Sequence, residues 1–94
     1  MSNIFDLTGR VAVVTGGNGG IGLGIAQALA GAGCAVSIWG RNAEKNAKAA
    51  ASIKAIGGKV DTQVCDVSKM ASVKSAMDAT LQAFGRVDGC FANA

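Results

Sequence analysis

The stretch TGGNGGIG at residues 15–22 decides the fold class, because six of the 14 glycines of this 94-residue chain fall between Gly16 and Gly24. It follows a β-branched run at residues 11–15 and precedes a helical pattern. A helix N-terminus offers unpaired N–H groups and a partial positive charge, which together bind phosphate. Glycine lets a pyrophosphate approach closely and adopts positive φ angles without strain. The stretch therefore predicts a phosphate-binding turn.

The spacing Gly17-x-Gly19-x-x-Gly22 matches the dinucleotide-binding fingerprint, which is meaningful only after a strand and at the start of a helix. The flanking pattern meets that condition. A Walker phosphate loop is excluded, since no Gly-Lys-Ser/Thr follows.

The rest of the chain alternates strands and helices in the order βαβαβαβ. The apolar runs read as buried strands, glycines end the helices, and Asn42 and Ser68 are predicted N-caps. This order predicts one α/β domain over residues 1–94, a Rossmann-like parallel sheet of order 3-2-1-4 covered on both faces. The predicted strands are residues 11–15, 35–39, 59–64 and 87–92, and the predicted helices are residues 20–30, 43–56 and 69–84.

Helical spacing predicts which side chains face the sheet. The predicted apolar faces are Ile21, Ile25, Ala28 and Leu29 in the first helix and Val73, Met77, Leu81 and Phe84 in the third. Gly22 and Gly24 lie inside the first helix, where glycine costs about 1 kcal/mol against alanine, so we expect close packing against the sheet or the ligand.

Composition narrows the class of protein. Half of the residues are hydrophobic, 16% are charged and proline is absent, which argues against disorder. The net charge of +3 is scattered, so we expect no nucleic-acid partner, and the chain has no 18-residue apolar stretch for a membrane. Three cysteines without C-x-x-C spacing predict buried free thiols, a cytoplasmic location and no metal site.

Four segments together resemble the short-chain dehydrogenase/reductase family. Residues 15–22 match its T-G-x-x-x-G-x-G signature, and residues 5–10 resemble its usual lead-in. Residues 65–68, CDVS, resemble its Asp-Val after the third strand, and residues 91–94, FANA, resemble the start of its Asn-Ala-Gly segment. The resemblance implies a nicotinamide-dependent oxidoreductase acting on CH–OH or C=O groups.

The resemblance also implies the residues that hold the cofactor. Gly16, Gly20 and Gly22 become the key glycines, and backbone N–H groups near Asn18 and Ile21 would meet the pyrophosphate and the adjoining ribose. Asp66 would accept a hydrogen bond from the adenine amino group, the Val67 backbone would lie beside the ring, and Asn93 and Ala94 would border the ribose. On its own, Asp66 is equally well explained as a capping or turn residue.

The end of the second predicted strand indicates which nicotinamide cofactor binds. NAD-binding folds place an acidic residue about 20 residues past the glycines, whereas a nearby Arg accommodates the 2′-phosphate of NADP. Here the strand ends in WGRN at residues 39–42, and the nearest carboxylate, Glu44, lies inside the next helix. Arg41 therefore predicts NADP(H) in preference to NAD(H).

The family's catalytic Ser, Tyr and Lys have no match here, since the chain contains neither Tyr nor His. We expect these residues beyond Ala94 and assign no catalytic residue. The alternatives are a stand-alone NADP(H)-binding or regulatory module and a purely structural fragment. The family implies a homo-oligomer, and a fourth strand left at the sheet edge with Cys90 and Phe91 predicts self-association.

Overall fold

The computed structural model describes residues 6–16 and 18–92, which form four parallel strands alternating with three helices. The strands lie side by side in the order β3-β2-β1-β4, so the predicted fold class and strand order are confirmed. None of the helices in this described part is long and apolar enough to cross a membrane. The elements are β1 Val11–Thr15, α1 Gly20–Gly31, β2 Ala35–Gly40, α2 Ala43–Ala55, β3 Val60–Val64, α3 Met70–Phe84 and β4 Gly89–Ala92.

The two central strands carry the core. Every residue of β1 and β2 is buried, whereas β3 is mostly half-buried and β4 mostly exposed. The expectation of apolar strands covered on both faces therefore holds for the centre of the sheet and is wrong at its edges. The sequence of β3, VDTQV, reflects this, because an outer strand keeps polar side chains in contact with water.

Two hydrophobic clusters lie on opposite faces of the sheet. Neighbouring residues of a strand point to opposite faces, so Val14 belongs to one cluster and Val13 to the other. The first cluster packs β1 and β2 against α1 and α2, and the second packs them against α3. The buried members are Val14, Ala26, Ala30, Val36, Ile38, Ala49 and Ile53 in the first, and Val13, Trp39, Cys65 and Ala76 in the second.

Helix α1 meets the sheet through its smallest residues. Gly22, Ala26 and Ala30 are buried, whereas Ile21 is 76% exposed, and Ile25 and Leu29 are only partly buried. The predicted apolar face thus holds in part, since Ile25 and Leu29 pack against the core cluster, and it is wrong for Ile21 and Ala28, which are exposed. The physical reason is that α1 is apolar nearly all round, so periodicity could not choose between faces, and small side chains allow the closest approach.

Helix α3 departs from prediction in a similar way. Its buried residues are Ala76 and Thr80, while Val73 and Met77 pack at the rim and Leu81 is 41% exposed. Thr80 is accommodated because its hydroxyl donates to the Ala76 carbonyl and accepts from the Trp39 indole N–H at 3.2 Å.

The predicted N-cap of α3 is wrong. Lys69 occupies the cap position without a side-chain hydrogen bond, and the Ser68 hydroxyl instead donates to Asp66 Oδ1 at 2.6 Å. The helix begins at Met70, which places Ser68 one residue before the cap position, in the turn closed by Asp66. The cap of α2 is confirmed, since Asn42 Oδ1 accepts from the Lys45 N–H at 3.1 Å.

The start of β1 is fastened to the start of β4 by one carboxylate. Asp88 Oδ2 accepts from the Val11 N–H at 2.8 Å, and Arg86 Nη2 donates to Asp88 Oδ1 at 2.6 Å. Two hydrogen bonds lower the pKa of Asp88 from its ordinary value. The larger effect comes from the Arg86 side chain and the smaller from the Val11 backbone N–H.

The three cysteines are free thiols in different surroundings. Cys34 and Cys65 are buried as predicted, and burial raises the pKa of the Cys34 thiol. Cys90 is exposed, which corrects the expectation for it, because β4 is an outer strand of the described sheet.

Candidate functional site

The glycine-rich turn has the backbone geometry that the sequence predicts. Gly16 has φ of 67° and Gly20 has φ of 57°, in the region that glycine adopts without strain. The Gly16 N–H donates to the Trp39 carbonyl at 2.9 Å, which fastens the turn to the end of β2. Gly17 lies outside the described residues.

The first turn of α1 presents backbone amides without a side-chain cap. The cap position is the extended Gly19, no side chain bonds to the helix start, and the first turn contains no acidic residue. A helix start in this condition suits an anion, since its N–H groups and dipole both favour negative charge.

The two glycines inside α1 have different surroundings. Gly22 is buried on the side of the sheet, in line with the expected close packing. Gly24 is exposed, and a Cβ added there would meet nothing within 4 Å. The expectation of close packing against the protein is therefore wrong for Gly24.

A cleft of about 490 Å³ opens at the carboxyl ends of the strands, between the glycine turn, the end of β2 and the segment after β3. It brings together five of the predicted site residues. Three others lie beside it in the first turn of α1, and Asn93 and Ala94 lie outside the described residues. The five that line the cleft are Gly16, Asn18, Arg41, Asp66 and Val67, and the three neighbours are Gly20, Ile21 and Gly22.

Asp66 forms a tight turn at the wall of this cleft. Its Oδ1 accepts from both the backbone N–H of Ser68 at 3.0 Å and the Ser68 hydroxyl. These two bonds, aided by the positive charges of Arg41 and Lys69, lower the pKa of Asp66. The residue is therefore anionic at neutral pH. Among the described residues no donor bonds to Oδ2, which leaves that oxygen able to accept from a ligand.

Positive charge also lines the cleft. Arg41 and Lys45 are exposed and lie on either side of the Asn42 cap of α2. Arg41 is close enough to Asp66 to contribute to the lowered pKa of that carboxyl. The cleft thus offers cations, backbone amides and one carboxylate to a single ligand.

Sequence reasoning missed a buried polar contact between the cleft walls. Asn46 of α2 is 1% exposed, and its Oδ1 accepts from Asn18 Nδ2 at 3.0 Å. Its own Nδ2 donates to the carbonyls of Gly40 at 3.0 Å and Gln63 at 3.2 Å. The available signal was an asparagine inside an Ala-rich helix, near its start, because asparagine is a poor helix former.

Comparison with known proteins agrees with this geometry. The family model described as short chain dehydrogenase matches residues 10–94. The chain belongs to the short-chain dehydrogenase family. Among curated members, it is 37% identical to sorbose reductase of Candida albicans over 92 residues, and 42% identical to D-threitol dehydrogenase of Mycolicibacterium smegmatis over 84 residues. These matches cover 98% and 89% of the chain.

Solved structures of dehydrogenases superpose closely on the chain. An NAD⁺-bound xylitol dehydrogenase matches 94% of it with a TM-score of 0.90 and 38% identity. A hydroxysteroid dehydrogenase from Escherichia coli matches 100% of it with a TM-score of 0.95 and 30% identity. The chain spans about a third of the length of the relatives it matches: 33% of the sorbose reductase and 34% of the xylitol dehydrogenase.

Proposed function

We propose that this chain forms the NADP(H)-binding part of an oxidoreductase that acts on CH–OH or C=O groups. One observation supports the proposal most strongly. The α1 helix start, which has no side-chain cap, follows Gly16 and begins at Gly20. It lies at the carboxyl ends of the strands, as do Arg41 and Asp66, beside one cleft. Amides for phosphate, a cation and a carboxylate acceptor are the groups that a nicotinamide dinucleotide requires.

In this proposal, different residues of the cleft bind different parts of the cofactor. Backbone N–H groups near Asn18 and Ile21 bind the pyrophosphate and its ribose. Asp66 Oδ2 accepts from the adenine amino group, and the Val67 backbone lies beside the ring. The bound cofactor supplies or accepts the hydride. For Asn93 and Ala94, which lie outside the described residues, the family pattern implies a place bordering the ribose.

The end of β2 favours NADP(H) over NAD(H). The acidic residue that would accept from a ribose 2′-OH is missing, and a side chain at Gly40 would have to displace its neighbours. A Cβ on Gly40 would lie 2.5 Å from Asn46 Oδ1, well inside contact distance. Arg41 follows directly and is exposed on the cleft wall, where its guanidinium can pair with a 2′-phosphate.

Calorimetric titration of the purified protein with NADPH and NADH tests this choice. Arg41→Glu is expected to weaken NADPH by about 10- to 100-fold, the worth of a charge-assisted hydrogen bond, and to change NADH by less than about threefold. Lys48→Glu is the matched control, since Lys48 is exposed on α2 and does not line the cleft. A clear preference of the unaltered protein for NADH would overturn the NADP assignment.

We further propose that β4 mediates self-association. It pairs only with β1 among the described strands, and Phe91 is 41% exposed. An apolar outer strand is a template for pairing with another chain. Sedimentation velocity of Phe91→Lys against the unaltered protein tests this, and a monomer in both cases refutes it.

The three free thiols favour the cytoplasm as the compartment. Disulfides persist in oxidising compartments, whereas none of the cysteines here is paired. Localisation of a tagged protein in cells is the direct measurement.

A further inference from the structure

The buried Asn46 side chain is hydrogen-bonded to three segments beside the cleft. It lies on α2, bonds to Asn18 of the glycine turn, and bonds to the backbone at the ends of β2 and β3 through Gly40 and Gln63. At 1% exposure, such an amide is tolerated only because each of its polar atoms has a partner.

The hydrogen bonds determine the orientation of both amides. Two carbonyl oxygens face Asn46 Nδ2, so this atom must be the nitrogen, and Oδ1 must point toward the glycine turn. Asn18 must then present its own Nδ2 to Asn46. Asn18 lines the cleft, and its Oδ1, which accepts no hydrogen bond from the described residues, is consequently the acceptor that this side chain can offer to a ligand.

Gly40 makes this arrangement possible. A side chain at residue 40 would occupy the place where the two amides meet, because its Cβ would approach both Asn18 Nδ2 and Asn46 Oδ1 within less than 3.0 Å. Asn18 is only partly buried and could turn aside, but Asn46 is held by two further hydrogen bonds. The strand end, the turn and α2 are therefore coupled through one contact.

We propose that Asn46 is a positioning residue for cofactor binding, which holds the Asn18 amide so that its Oδ1 accepts from a hydroxyl group of the bound dinucleotide. Asn46 itself does not touch the ligand. It acts by keeping Asn18 in one orientation before binding, so that binding does not have to order that side chain. This inference rests on the proposed function, since it concerns the same cleft.

A double-mutant cycle in NADPH affinity tests the proposal. Asn46→Ala and Asn18→Ala are each expected to raise the Kd for NADPH about fivefold, the worth of one net hydrogen bond. The double variant is expected to bind no more weakly than either single variant, because Asn46 acts only through Asn18. Ser52→Ala is the matched control. It removes the Gln27–Ser52 hydrogen bond between α1 and α2 away from the cleft, and its Kd should stay within about twofold.

The outcomes separate positioning from mere support of the fold. If Asn46 only attached α2 to the sheet, Asn46→Ala would weaken NADPH equally in the presence and absence of Asn18, and that additive result overturns the proposal. Should Asn46→Ala fail to fold, Asn46→Ser replaces it in the cycle. An unchanged Kd for Asn18→Ala overturns this inference alone, whereas no NADPH binding by the unaltered protein overturns the proposed function as well.

Discussion

Gly40→Ala tests how rigid the cleft wall is. Gly40 is not among the glycines with positive φ, so alanine is compatible with its backbone. The cost comes from contact, since the new Cβ would lie 2.5 Å from Asn46 Oδ1, half an ångström inside the 3.0 Å limit for real Cβ atoms. Asn46 must move, which breaks or stretches its three hydrogen bonds to Asn18, Gly40 and Gln63.

The magnitude follows from those bonds. At about 1 kcal/mol net for each, and less the small entropic gain of Gly→Ala, the free energy of unfolding should fall by about 2 kcal/mol. For a domain of this size, that corresponds to a decrease in Tm of roughly 8–16 °C. Thermal unfolding followed by far-UV circular dichroism measures it.

Gly24→Ala provides the matched control, because it is also a glycine-to-alanine substitution but lies where the added Cβ has free space. Its Cβ would meet nothing, and alanine is the better helix former by up to about 1 kcal/mol, so Tm should rise by a few degrees. If Gly40→Ala melts within about 2 °C of the unaltered protein, the wall at Asn46 yields easily and the reasoning about its rigidity is wrong.

Two further predictions concern titration and thiol chemistry. Because the hydrogen bond from Arg86 lowers the pKa of Asp88, the stability that this carboxylate contributes is present above the unfolded pKa of about 3.9 and is lost as pH falls through the folded value. Urea unfolding between pH 5 and pH 2 should therefore show a smaller acid loss in Asp88→Asn, and equal losses in both proteins would contradict this. Under native conditions an aromatic disulfide reagent should modify Cys90 quickly and Cys34 and Cys65 only on unfolding; mass spectrometry of the labelled peptides decides, and early labelling of Cys34 would be the contrary result.

The sequence predicted the architecture because its signals were local and strong. Glycines mark the ends of helices, and β-branched runs mark the central strands, so element order and strand order follow from the alternation. The bounds were accurate to within two residues, the largest difference being the start of β4 at Gly89 instead of residue 87.

The faces of the helices could not be predicted in the same way. Helix α1 is apolar on most sides, so the choice of Ala26 over Ile25 depends on how closely the helix approaches the sheet. Thr80 is buried because partners on β2 and α3 satisfy its hydroxyl. Such tertiary partners leave no periodic trace in the sequence.

The candidate site likewise contains residues that sequence motifs predict and contacts that only the fold creates. The glycine turn, Arg41 and Asp66 are visible as motifs, and the structure gathers them around one cleft. Asn46 is 28 residues from Asn18 in the chain, and only the crossing of α2 over the strand ends brings the two together. The predicted cap role of Ser68 is wrong for a related reason, since Ser68 belongs to the turn closed by Asp66 and the helix begins only at Met70.

Because β1 is buried on both faces, insertions and deletions within this strand are restricted. Val13 and Val14 serve opposite clusters, and two residues later Gly16 is hydrogen-bonded to Trp39. Inserting or deleting one residue in β1 would exchange the two faces and also displace the glycine-rich turn along the sheet. Insertions and deletions should therefore be excluded from the stretch between Val11 and Gly16.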